Sequence, residues 1–173
     1  LAGLDFGDPQ GDKRVFDIIG SMGVAVEVGR KGVTLSPGTG PTGTEIDLNA
    51  NPDALPALAV FATAASGTTR LANCPQARHK ETDRIAVMTR ELRKLGADVE
   101  EEEDAMVVHE SSLRGTTVDG HGDHRVVMAL ALAGLAADGE TIVEGAEAAD
   151  ITYPSFVDDL RLVGADIEVI DRQ

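Results

Sequence analysis

A repeated α/β fold with apolar helices enclosed by strands is predicted from this 173-residue sequence by three observations. A helix closed by Gly and followed at once by a strand recurs along the chain. An Ala-rich segment between an Asp and a Gly 20 residues apart also recurs, as Asp47 to Gly67 and Asp119 to Gly139. The composition is 42% apolar but only 3% aromatic with no Trp, so Ala, Val, Leu and Gly must fill the core of one ordinary domain.

Each element follows from these patterns. Residues 1–4 read as the closing strand of a unit that otherwise lies upstream. Ile19, Met22, Gly23, Val24, Val26 and Glu27 recur as Leu92, Leu95, Gly96, Ala97, Val99 and Glu100, and again as Leu160, Val163, Gly164, Ala165, Ile167 and Glu168. Each copy has the spacing of an amphipathic outer helix, a C-terminal Gly and an alternating strand. Gly38-Thr39-Gly40-Pro41-Thr42-Gly43 reads as a turn between strands, since it lacks the Walker lysine. Residues 54–65 and 126–137 carry apolar or small side chains on nearly every face, which marks inner helices. Both end in Gly and lead into strands, Thr68 to Asn73 and Glu140 to Glu144. The second outer helix begins at Lys80-Glu81-Thr82-Asp83-Arg84, with Thr82 or Asp83 as its cap. Residues 154–170 supply only the opening half of a further unit. The unit is thus βαβαββ in circular order. With two complete units and two fragments, an inner helix is expected to be missing upstream; a self-contained α/β sandwich of two repeats is the alternative.

The charge excludes some classes of function. Lys plus Arg is 15 and Asp plus Glu is 30, a net charge of -15, so a nucleic-acid binder dependent on phosphate contacts is not expected. Acids cluster at Glu100 to Asp104 and Arg outnumbers Lys, a surface suited to high salt and to a halophilic source. The single cysteine, Cys74, excludes an intramolecular disulfide framework. No apolar run is long enough to span a bilayer, and the start at Leu1 shows no signal-peptide pattern, so a cytoplasmic protein with a trimmed start is expected.

Superposing the repeats locates the unusual residues. Asn51-Pro52-Asp53 falls on Asp123-His124-Arg125, which puts a carboxylate in one copy and a guanidinium in the other at the start of an inner helix. Around a pseudo-threefold axis both reach the same end of the domain. Helix N-termini attract anions, and Arg125 adds a bidentate partner for carboxylate or phosphate. The segment from Lys80 to Arg84 brings two cations and a carboxylate to the same cluster, a composition suited to an anionic substrate that undergoes proton transfer. His121, Asp123 and His124 are not read as metal ligands, because the two histidines straddle a helix entry and lack a third partner. His79 and His109 read as surface residues. Ser66 and Cys74 have no neighbouring base to make them nucleophiles.

Three segments carry a family resemblance: Lys80-Glu81-Thr82-Asp83-Arg84-Ile85, Gly122-Asp123-His124-Arg125 ahead of an Ala-rich helix, and Asn51-Pro52-Asp53-Ala54. Together, in order and over nearly all of the chain, they resemble the C-terminal domain of the EPSP synthase family of enolpyruvyl transferases. The related UDP-N-acetylglucosamine enolpyruvyl transferases differ in the first two segments.

The resemblance implies an inside-out α/β barrel with helices inside and sheets outside, one of two such domains. Residues 1–173 would be the C-terminal domain, incomplete at its own N-terminus. It implies transfer of the enolpyruvyl group of phosphoenolpyruvate to the 5-hydroxyl of shikimate 3-phosphate, a step of aromatic amino-acid biosynthesis, with no metal or organic cofactor. The partners would be the two substrates and the missing N-terminal domain. By the same resemblance Asp53 is the base toward the 5-hydroxyl and Glu81 the acid at the methylene carbon, although their division of the protons between half-reactions stays open. Arg84 and Arg125 would clamp phosphoenolpyruvate with His124 beside them, and Lys80 would reach both substrates. Many members carry a Lys where this chain has Ile151. A non-catalytic anion-binding domain on the same repeat is the competing reading.

Overall fold

The computed structural model describes residues 1–7, 9, 11–30 and 32–170. Helix α1 (Arg14–Ser21) leads into an antiparallel hairpin of β1 (Ala25–Gly29) and β2 (Gly32–Ser36). A complete unit follows: β3 (Glu45–Asp47), α2 (Leu55–Thr63), β4 (Thr68–Ala72), α3 (Arg84–Lys94), β5 (Val99–Glu101) and β6 (Met106–His109). This is the expected βαβαββ order. The elements β7 (Thr117–Asp119), α4 (His124–Ala136), β8 (Ile142–Glu144) and α5 (Phe156–Leu162) then repeat its first four members.

Strands of the complete unit lie in the order β3-β4-β6-β5, with β3 and β4 parallel and the other pairs antiparallel. Parallel neighbours need a crossover, and α2 supplies it. The same relation joins β7 and β8 through α4. Helices α2, α3 and α4 pack on one another behind the sheets. In α2 the residues Leu55, Pro56, Leu58, Ala59, Val60, Ala62 and Thr63 are all buried, which puts nearly its whole circumference in the core. Each buried Leu there contributes roughly 1.5–3 kcal/mol.

The repeat is visible in the hydrogen bonds. Helices α1, α3 and α5 close with Gly23, Gly96 and Gly164 at φ 108°, 89° and 96°. In each, the residue after the Gly donates its N–H to the carbonyl five positions back: Val24 to Ile19 at 3.1 Å, Ala97 to Leu92 at 3.0 Å and Ala165 to Leu160 at 3.0 Å. A side chain at any of the three glycines would oppose the left-handed conformation that this closure requires.

Four expectations are corrected. Residues 1–4 form only an isolated bridge, Ala2 to Gly32, rather than a strand. Residues 165–170 form no strand either, although their apolar alternation is present. A strand extends only along a hydrogen-bonding neighbour. At the N-terminus that contact is limited to Leu1 and Val33 of β2, each donating its N–H to the other's carbonyl at 2.9 Å, and residues 165–170 pair with no strand among the described residues. The outer helix begins at Arg84, because Asp83 accepts the Ala86 N–H at 3.0 Å and caps it there, so Lys80, Glu81 and Thr82 precede the helix. Finally, α4 is enclosed only in part. Its Leu132 and Leu135 are 37% and 41% exposed.

Candidate active site

The starts of α2, α3 and α4 meet at one end of the fold. Asp53 sits in the 3-10 turn Pro52–Ala54 that leads into α2. The turn is anchored by buried Asn51, whose side-chain amide donates to the Gly11 carbonyl at 3.0 Å. Lys80 to Asp83 connect the 3-10 turn Pro75–His79 to α3 in extended and bent conformation. Before α4, His121 and Gly122 take φ values of 51° and 72°. They turn the chain so that Asp123 caps the helix, accepting the N–H of Arg125 at 2.9 Å and of Val126 at 3.4 Å.

Arg84 is the centre of the cluster. Its side chain is 1% exposed and makes hydrogen bonds to three carboxylates. Nε donates to Asp123 Oδ2 at 2.7 Å and Nη2 to Asp123 Oδ1 at 3.1 Å, a bidentate pair in which both members are buried. Nη1 donates to Asp53 Oδ1 at 2.8 Å, and Nη2 also reaches Glu81 Oε2 at 2.6 Å. Thr82 adds its hydroxyl to Asp123 Oδ2 at 3.1 Å.

The remaining cations gather on Asp53. Lys80 Nζ is 2.9 Å from Asp53 Oδ1, and Arg125 places Nη2 3.8 Å from Oδ2. Burial alone would raise the Asp53 carboxyl, but Lys80, Arg125 and Arg84 hold it below the ordinary carboxylate range. Asp123 is likewise lowered, with burial opposed chiefly by Arg84. Burial pulls the Arg84 guanidinium down while Asp123, Glu81 and Asp53 raise it further, so it stays charged.

Five of the six residues singled out in the sequence are therefore joined in one network: Asp53, Lys80, Glu81, Arg84 and Arg125. His124 opens α4 and is 9% exposed, but its side chain makes no hydrogen bond or ion pair with the other described residues. Ile151 ends the 3-10 turn Ala146–Ile151 and is 72% exposed, so this position contributes no cation. The expected clamp is modified in one respect: the donors of Arg84 already face carboxylates.

Asp123, rejected as a metal ligand and otherwise named only within the Gly122-Asp123-His124-Arg125 segment, was given no role of its own in the sequence; in the structure it is the buried partner of Arg84. The signal for it was an Asp directly ahead of an Ala-rich helix, the position of an N-cap. Glu91, two turns beyond Arg84 on the same buried face of α3, was also missed. Its carboxylate accepts from Lys94 at 2.7 Å, the Asp119 N–H at 3.0 Å and Arg90 at 3.1 Å, and lies 3.1 Å from His121 Nε2. This ties the loop carrying Asp123 back to α3. Cys74 is buried, and burial pushes its thiol up to about 11, the opposite of an activated nucleophile.

The sequence model of the family described as EPSP synthase (3-phosphoshikimate 1-carboxyvinyltransferase) matches residues 1–160. A 3-phosphoshikimate 1-carboxyvinyltransferase of Acetivibrio thermocellus is 54% identical over 171 residues, covering 99% of this chain and 40% of the relative. The corresponding protein of Ruminiclostridium cellulolyticum is 51% identical over 170 residues, covering 98% of this chain and 40% of the relative. Among solved structures, an EPSP synthase from Acinetobacter baumannii superposes with a TM-score of 0.80 at 26% identity, covering 91% of this chain and 40% of the other. The chain thus spans about 40% of the length of the curated relatives it matches.

Proposed function

The chain belongs to the EPSP synthase family, and from that membership we propose that it is the C-terminal domain of a longer, cytoplasmic 3-phosphoshikimate 1-carboxyvinyltransferase. In this reading the substrates, phosphoenolpyruvate and shikimate 3-phosphate, are held between this domain and an N-terminal one. Two observations support the domain assignment. The relatives are more than twice as long, and Leu132 and Leu135 on the otherwise inner helix α4 are left open for a further element to pack upon.

The observation that carries the function is the convergence of Asp53 and Glu81 with Lys80, Arg84 and Arg125 at the starts of three helices. Enolpyruvyl transfer needs such a set. In the addition step the 5-hydroxyl oxygen bonds to C2 of phosphoenolpyruvate, losing its proton to a base, while C3 gains a proton and becomes a methyl group. In the elimination step the methyl group returns a proton and the C2–O bond to phosphate breaks. Asp53 is assigned to the hydroxyl proton and Glu81 to the methylene carbon. Arg84, Arg125 and Lys80 offset the charge of the phosphate and carboxylate groups, and His124 stands beside them. Closure of a second domain over this end would exclude water and complete the set.

The test uses the full-length protein. Asp53→Asn and Glu81→Gln should each lower turnover of shikimate 3-phosphate by at least about a hundredfold, the scale of a lost general acid or base. Near-normal turnover in both variants would leave a non-catalytic anion-binding domain as the better reading. The 173-residue chain alone is expected to show no turnover.

A further inference from the structure

Three cations and three carboxylates make up the cluster at the helix starts, so its formal charge is balanced before any ligand arrives. Lys80 and Arg84 lie within 2.9 Å of carboxylate oxygens and Arg125 within 3.8 Å of one, so a dianionic ligand must compete with carboxylates for these cations. The three carboxylates are not equivalent. Asp123 is 0% exposed, holds the Nε edge of Arg84 and caps α4, so its removal would leave a buried guanidinium and free helix N–H groups. Asp53 and Glu81 are 35% and 49% exposed and take the outer edge of the same guanidinium. They can turn to solvent at little cost in desolvation. Arg84 cannot follow, and its charge needs a replacement partner when they leave.

We infer that Asp53 and Glu81 serve as internal counter-ions to Arg84, Lys80 and Arg125, and that a phosphate or carboxylate ligand binds by exchange for them on these three cations. The inference rests on reading this cluster as the substrate-anion site. Asp123 is the fixed half of the Arg84 cradle and the two outer carboxylates are the exchangeable half. The exchange also has a chemical consequence. While Asp53 is shared among Lys80, Arg125 and Arg84, its carboxyl is held low and it is a weak base. Once a ligand takes over those cations, the displaced carboxylate is freed for the proton it is assigned. Loading the site and arming its base become one event.

The prediction runs against the usual effect of removing an active-site residue. Inorganic phosphate is titrated calorimetrically into the 173-residue chain at fixed ionic strength, comparing wild type with Asp53→Asn. The variant should bind at least about tenfold more tightly, equivalent to about 1.4 kcal/mol. Glu81→Gln should shift affinity in the same direction, and it carries the test if Asp53→Asn does not fold. Glu45→Gln removes the same charge from an exposed position on β3 and should leave affinity within about twofold. Unchanged or weaker phosphate binding in Asp53→Asn and Glu81→Gln would overturn the exchange. So would an equal gain in Glu45→Gln, which would trace the effect to net charge alone. No turnover is measured, so the result is separate from the assignment of the reaction: tighter phosphate binding with normal turnover in full-length Asp53→Asn would sink only the catalytic reading.

Discussion

A buried guanidinium costs several kcal/mol unless its donors are met, and Arg84 tolerates 1% exposure because Asp123 meets it with both oxygens. Asp123→Asn keeps the shape but removes the buried counter-charge. It should destabilise the fold by about 3 kcal/mol, read as a lower urea midpoint at unchanged slope. Glu91 does the corresponding work two turns further along α3. Burial pushes its carboxyl up, but bonds from Lys94, the Asp119 amide, His121 and Arg90 more than offset this and take it from 4.5 down to about 2. The folded pKa is depressed, so the unfolded chain takes the proton first on acidification. The Glu91 contribution is therefore complete above pH about 5 and lost progressively as pH falls toward about 2. Denaturant midpoints measured across that window should drop steeply in wild type and less in Glu91→Gln. Equal slopes would mean that other carboxylates carry the acid sensitivity.

At the scale of elements, the parallel pairs β3/β4 and β7/β8 are built by the same device. Gly43 donates its N–H to the Ser66 carbonyl and Gly115 to the Asp138 carbonyl, each at 2.8 Å, just before the parallel strands begin. A Cβ at Gly43 would collide with the Thr68 backbone, and one at Gly115 with the backbone of Glu140 and Gly139. Backbone cannot move aside as a flexible side chain does. Gly115→Ala should therefore cost about 2–3 kcal/mol, whereas Gly139→Ala, which meets no atom within 4 Å and suffers only from its φ of 93°, should cost about 1 kcal/mol. Thermal unfolding of the two variants side by side decides this; the reverse ranking would show that the close approach relaxes freely. The spacing of 20 residues from Asp47 to Gly67 and from Asp119 to Gly139 made these equivalent elements legible in the sequence. The start of α3 was legible only to within one turn, because Thr82 and Asp83 are both good caps and only packing selected Asp83.

For the whole molecule, a net charge of -15 on 173 residues dominates the response to salt. Raising the ionic strength from about 0.1 M to about 1 M shortens the Debye length from about 10 Å to about 3 Å and screens repulsion among exposed carboxylates such as Glu100 and Glu45. The midpoint of thermal unfolding should rise by several degrees, while the buried Arg84–Asp123 pair is little affected. A midpoint that falls with added NaCl would show that surface ion pairs such as Arg70 with Glu102 outweigh the repulsion. The sequence by itself determined the order of elements from α1 to α5, the three Gly closures and the equivalence of Asp53 with Arg125, because hydrophobic period and turn chemistry are local properties of the chain. The tertiary structure alone decided that Arg84 is engaged by three carboxylates, that Asp123 is its fixed partner and that residues 165–170 make no strand. Those outcomes depend on contacts between residues such as Arg84 and Asp123, 39 positions apart, and on strand neighbours elsewhere in space, which no local pattern encodes.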